Sequence, residues 1–196
     1  IMLSSLTGGS EDASLRAEAL RGRGTVAYES GREVEAERLY RRAAEVSLPS
    51  EAPQSVALLL DRAWLATRAG EDPRAEGLLV EAERRLRALP GQLSLGGALH
   101  AVWAELRRRQ CSYKDAHKHA QRAVVLAGEA LSEHPRRASV LALASRVHTA
   151  RSELAASERY ARRAMHLLRG RGLGESHPRF AEVQLALAEL HFARGQ

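Results

Sequence analysis

Apolar residues recur along this chain at helical spacing, in blocks that each run into a turn. The blocks are Leu20, Val26 and Ala27; Leu59, Ala63 and Ala66; Leu99, Trp103 and Leu106; and Leu141, Ala144 and Val147. After each turn the pattern changes to residues four and then three apart, small at both ends, which share one helical face and allow close approach of a second helix. From Gly31 these are Ala36, Tyr40 and Ala43, and from Gly70 they are Ala75, Leu79 and Ala82. From Cys111 they are Ala116, Ala120 and Ala123, and from Ser152 they are Ser157, Ala161 and Ala164. A last block, Leu187 to Gly195, repeats only the first half. The turn positions 31, 70, 111, 152 and 195 lie 39, 41, 41 and 43 residues apart, so four helix pairs and half of a fifth fill the chain.

The spacing predicts helices near 13–30, 33–47, 53–69, 73–88, 96–110, 113–131, 135–151, 154–169 and 178–194. Gly31 and Gly70 suit the left-handed residue that ends a helix, whereas Cys111 and Ser152 predict wider or less regular turns. Asp72-Pro73 reads as an N-cap followed by proline at the first helical position. Ser132-Glu133-His134-Pro135 and Ser176-His177-Pro178 mark two further helix starts, with both histidines structural. Residues 1–11 read as a flexible lead-in and 12–196 as one helical-repeat domain. Ile1 is not an initiator residue, so the chain reads as a piece of a longer protein.

Composition agrees with helices. There are 35 Ala and 29 Leu, Ile occurs only once, and aromatics are 4%, which argues against an all-β fold. No apolar run reaches the roughly 18 residues of a membrane span, and the first ten residues lack the pattern of a signal peptide. Cys111 is alone, which excludes an internal disulfide or a multi-cysteine zinc site. The basic residues are 28 Arg and 2 Lys, and there is no Asn, a bias that fits GC-rich coding and a bacterial source.

The offsets, small residue, turn glycine, then Ala, large residue and Ala, resemble the tetratricopeptide repeat. The first pair carries the likeness best: Leu20, Gly24, Ala27, Gly31, Ala36, Tyr40 and Ala43. The long period and the His-Pro start of Gly174-Glu175-Ser176-His177-Pro178 resemble the kinesin-light-chain-like branch of that family. The resemblance implies an all-α, right-handed superhelical solenoid of about four and a half antiparallel helix pairs. It also implies a cytoplasmic, non-catalytic scaffold whose concave groove, lined by the first helix of each pair, takes a peptide or a partner's helix.

The family's inner-face positions fall here on Arg21, Thr25, Tyr28 and Glu29; Leu60, Trp64, Thr67 and Arg68; Ala101, Glu105, Arg108 and Arg109; and Ala142, Arg146 and Thr149. Of these, Tyr28, Trp64, Arg68, Glu105, Arg108, Arg109 and Arg146 are the candidate groove residues. Trp64 is the expected anchor, while Trp103 is expected to pack. Residues 1–98 carry net charge −2 and residues 99–196 net +8. Arg108, Arg109 and Arg146 are therefore expected to form a basic patch for an acidic peptide, set against a solvated face enriched in Arg by codon bias.

Two other readings compete with the scaffold: a regulatory arm beside a signalling or transcription effector, and nucleic-acid binding through the basic half. Nucleic acid is the weaker partner because stacking aromatics are scarce and the first half is acidic. The carboxylate clamp of the family's chaperone-binding members needs Lys and Asn that are absent here. No cofactor or metal is implied. His117 and His119, two apart on a helix, cannot chelate together, and no glycine-rich phosphate loop or Cys-His-acid set is present. The last helix either caps the array or leaves an apolar face exposed, with Leu187, Leu190 and Phe192 the residues that decide; an exposed face would suit homodimerisation.

Overall fold

The protein is described here from a computed structural model covering residues 4–46, 52–131, 134, 136–173, 175 and 177–195. The described residues form nine α-helices and no strand: α1 (Ser4–Glu29), α2 (Glu33–Glu45), α3 (Pro53–Ala69), α4 (Asp72–Leu86), α5 (Leu93–Arg109), α6 (Tyr113–Ala130), α7 (Arg136–Ala150), α8 (Leu154–Gly170) and α9 (Pro178–Ala193). These follow the sequence periodicity closely. The largest departure is α1, which runs back to Ser4 through much of the stretch read as a lead-in. Adding residues to a formed helix is far easier than nucleating one.

The chain divides into two compact units, Ile1–Leu95 and Gly96–Gln196. In the first, α1, α2 and α3 enclose Leu20, Ala27, Ala36, Leu39, Tyr40, Ala43, Leu58 and Leu65. The Tyr40 ring lies so close to Gly24 that a Cβ there would stand 2.5 Å from Cε1 of Tyr40. In the second, one core joins Ala104, Ala116 and Ala120 to Leu143, Ala144 and Val147. Another joins Ala138, Leu141 and Ala142 to Ala164, Leu168, Phe180, Val183 and Ala186.

The four complete turns share one geometry. Gly31, Gly70, Cys111 and Ser152 all have left-handed backbones, with φ of 75°, 77°, 59° and 61°. Each donates its N–H to the carbonyl three residues back: Tyr28, Thr67, Arg108 and Thr149. The next residue donates to the carbonyl five back, as Arg32 to Ala27, Glu71 to Ala66, Ser112 to Arg107 and Glu153 to His148, at 2.8–2.9 Å. This is the Schellman ending of a helix. That same residue is the N-cap of the following helix, its carbonyl accepting from Ala36, Ala75, Ala116 or Ser157. The Cys111 and Ser152 turns are thus as tight as the glycine turns, contrary to expectation. The cause lies downstream: Ala36, Ala75, Ala116 and Ser157 are all fully buried, as are Ala43, Ala82, Ala123 and Ala164. Close packing of the second helix dictates the turn, whatever residue occupies it.

The shared turn also corrects the capping of α4. Its N-cap is Glu71 rather than Asp72, with no side-chain cap hydrogen bond, and Asp72 is already helical. The two His-Pro starts behave as read, although Ser132, Glu133, Pro135, Gly174 and Ser176 lie outside the described residues. Nδ1 of His134 accepts from the Arg136 N–H at 3.1 Å, and Nδ1 of His177 from the Arg179 N–H at 3.3 Å.

On α9 the three apolar residues divide between the core and the outer face. Leu190 is buried, together with Phe180, Val183 and Ala186, and Leu187 packs partly against the same core. Leu185 and Phe192 face outward, Phe192 being 86% exposed. A short step along a helix separates a buried position from an exposed one when the packed stripe is narrow.

Candidate functional site

Numbering each first helix back from its turn residue brings one register position to the fore. Six residues before the turn stand Thr25, Trp64, Glu105, Arg146 and Glu189. On α5, α7 and α9, all in the second unit, this position reads Glu, Arg, Glu. Arg146 reaches toward Glu105, with Nη1 3.6 Å from Oε2. Its fork grips Glu189, with Nε donating to Oε1 at 3.0 Å and Nη2 to Oε1 at 2.9 Å. Arg108, one turn further along α5, closes the other end. Its Nε and Nη2 donate to Oε2 and Oε1 of Glu105, each at 2.9 Å.

The result is a ladder, Arg108–Glu105–Arg146–Glu189, tying three first helices together with no net charge. Its interior is well shielded, the Glu105 side chain being 5% exposed and the two arginines 18% and 16%. The Glu105 carboxylate, by hydrogen bonding and charge, pushes Arg108 above even its usual high pKa, against the opposing effect of burial. A buried carboxylate needs this double pairing, because desolvation of an unpaired charge would outweigh any single contact.

The candidate residues therefore play different parts. Arg108 and Arg146 are engaged within the fold, as is Glu105. Arg109 is exposed at the end of α5. In the first unit, Trp64 is half-buried and its indole N–H donates to the Tyr28 hydroxyl at 2.7 Å, which fixes both rings. Arg68 is exposed and pairs with Glu33 of α2 at 3.1 Å. Arg21 pairs with Asp61 at 2.5 Å. The Thr25 hydroxyl lies 3.3 Å from that of Tyr40, whose pKa is pushed up to about 12, first by burial and then by the nearby Asp61 charge. Leu60, Thr67 and Ala142 turn into the packing and line no surface.

Glu189 escapes the sequence reading, although its place six residues before Gly195 is an available signal. Trp103 packs, as read: it is 8% exposed, stacks on His119 at 5.7 Å between ring centroids, and carries the Arg107 guanidinium 4.8 Å from its ring centre. No helix among the described residues is long and apolar enough to cross a membrane.

No family model matches this chain, and no curated protein does. Solved structures do. One is a Podosopora anserina kinesin-light-chain-type protein with nearly identical TPR-like repeats; it is 21% identical, with TM-score 0.60 over 94% of this chain and 89% of that one. A single-substitution variant of that protein is also 21% identical, with TM-score 0.61 over 94% and 88% of the two chains. At this identity the likeness speaks for the fold, and with the repeated turns and helix pairs it makes this an all-α protein with the TPR-like repeat fold.

Proposed function

We propose that this chain is a non-catalytic protein-binding scaffold that holds an extended peptide or a partner's helix against its first helices. The observation that carries the reading is the ladder. Successive first helices present polar groups at one repeated register, with their forks and carboxylates already fixed in position. A framework fixed in this way holds the exposed residues beside it in place and lowers the ordering cost of binding there. In the first unit the locked Tyr28–Trp64 pair offers rigid aromatic area at the same register, which suits an anchor.

The ladder also refines the partner. Arg108 and Arg146 are neutralised by Glu105 and Glu189, so an acidic peptide is met first by the exposed Arg109, with Arg68 serving the first unit. A ligand reaching the ladder must exchange with an internal ion pair and therefore has to bring groups of both signs.

The test is affinity capture from the source organism's lysate with identification of bound proteins, followed by titration of the partner recovered. Wild type is compared with Trp64→Phe, Arg109→Gln and Arg68→Gln, at low and moderate salt. Loss of about 1–3 kcal/mol of binding in Arg109→Gln or Trp64→Phe, with helicity unchanged, supports the reading. Unaltered affinity in all three variants rejects the assignment. Recovery of nucleic acid that vanishes with salt replaces it by the electrostatic alternative.

Self-association is a second reading, favoured by Phe192 and Leu185 on the outer face of α9. It requires that Phe192→Ser abolish a concentration-dependent dimer in sedimentation.

A further inference from the structure

A second cluster of polar side chains lies apart from the ladder, where α6, the end of α7 and the start of α8 meet. It contains His117 from the second turn of α6, His148 from the last turn of α7, and Glu153, the N-cap of α8. One ligating atom from each lies within 4.8 Å of the others. His148 is buried, and the other two are partly so. The two imidazoles meet edge to face at 5.0 Å between centroids, and Tyr160 stacks on His148 at 5.1 Å.

Two features separate this cluster from an ordinary buried hydrogen-bonded pair. Nδ1 of His117 is buried and has no hydrogen-bond partner among the described residues. Such an atom calls for an explanation, and an ion is one of the few available. The carboxylate of Glu153, in turn, is divided between two neighbours. Oε1 takes Nε of Arg151 at 2.9 Å, which fixes the group, while Oε2 faces Nδ1 of His148 at 2.6 Å. A ligating carboxylate oriented by an outer hydrogen bond is the usual arrangement at metal sites.

We propose that His117, His148 and Glu153 form a binding site for a divalent ion of the zinc class. Two imidazole nitrogens and one carboxylate oxygen are the donors zinc takes, with a fourth position left for water. Tetrahedral bonds of about 2.0–2.2 Å set the ligand atoms roughly 3.3 Å apart, so closing the site asks for side-chain rotations of little more than an ångström. The ion takes the place of the proton shared by His148 and Glu153, and that proton passes to Nε2 of His148 or to solvent. Bound there, it cross-links α6, α7 and the turn into α8, clipping one helix pair to the next. The positive charge of Arg151 weakens the site relative to a closed structural zinc centre.

The experiment is calorimetric titration of zinc into the intact chain. One saturable site is expected, with Kd raised at least about tenfold in His117→Gln and in Glu153→Gln. His119→Gln should leave Kd unchanged within about twofold; it controls for the other close imidazole pair, His100 and His119, whose Nδ1 atoms are 3.0 Å apart. Circular dichroism verifies that each variant is folded. Cobalt added to the wild type supplies a readout that needs no variant, since a visible spectrum of tetrahedral nitrogen–oxygen ligation is expected. The proposal is overturned if zinc does not saturate at one equivalent, if His117→Gln binds as wild type does, or if cobalt stays octahedral.

Discussion

The two units reach the same turn geometry from different residues. In the first, Gly31 and Gly70 occupy the left-handed position, where glycine carries no penalty. In the second, Cys111 and Ser152 adopt it with φ near 60°, at a cost of about 1–2 kcal/mol for a residue with a side chain. The hydrogen bonds around all four turns are nonetheless the same. The difference teaches that glycine relieves strain at this position without specifying the turn. The specification comes from the small, fully buried residues five and twelve places on. Polar groups on the first helices divide in the same way: an aromatic pair in the first unit, and a neutral ladder of ion pairs in the second.

The largest effect should come from reversing the centre of the ladder. Arg146→Glu places a third carboxylate between Glu105 and Glu189. It should cost about 3–5 kcal/mol, the usual result of leaving a buried charge unpaired. Urea unfolding measures it, and a loss below about 1 kcal/mol would mean that the ladder does not hold the second unit together. The same substitution would be a poor probe of partner binding, because fold and groove would fail together.

Next in size is Gly24→Ala, which drives a methyl group into the Tyr40 ring and should cost about 1–3 kcal/mol. In the first unit a small residue seven before the turn stands with a large one nine after it, Gly24 with Tyr40 and Ala63 with Leu79. Adding Tyr40→Leu should therefore recover part of the loss, and a double-mutant cycle with no coupling would break the size rule.

Smaller changes test the turns directly. Gly31→Ala and Gly70→Ala should each lose about 1 kcal/mol, while Cys111→Gly and Ser152→Gly should each gain somewhat less, since glycine also loosens the unfolded chain. Thermal unfolding reads all four, and destabilisation by Cys111→Gly would show that its side chain contributes more than its strain costs. Smallest is Arg68→Ala, where both partners are about half exposed and the Glu33 pair should be worth under about 0.5 kcal/mol.

Much of this architecture was legible in the sequence, because helix pairing depends on periodicity and periodicity is local. Ala36, Ala75, Ala116 and Ser157 stand out by spacing alone, and all four are buried where spacing places them. The ladder was only half visible. Arg108, Glu105 and Arg146 could be put on one face, but whether a charge meets solvent or an opposite charge depends on a neighbouring helix some forty residues away. Glu189 is that missing partner. The histidine cluster was less visible still. Spacing on a single helix rightly separates His117 from His119, yet the geometry pairs His117 with His148, contributed by the next helix in the stack. Whether Leu190 or Phe192 would be covered was open for a related reason, since the buried stripe of α9 is set by α7 and α8 rather than by its own sequence.

One buried group bears on a hazard of every near-repetitive chain, the exchange of one repeat's helix for another's. Ser157 replaces the usual alanine, and its hydroxyl lies 2.8 Å from that of Ser145 and 2.7 Å from that of Thr149, both on α7. At the matching places α5 carries Ala104 and Arg108. Were α8 to dock on α5 during folding, Ser157 would meet a methyl group in place of the Ser145 hydroxyl and would have to draw Arg108 away from Glu105, a penalty of about 1–3 kcal/mol. The three hydroxyls work as a key cut for one lock, sorting the correct helix pair from look-alikes that the shared alanine pattern would otherwise admit.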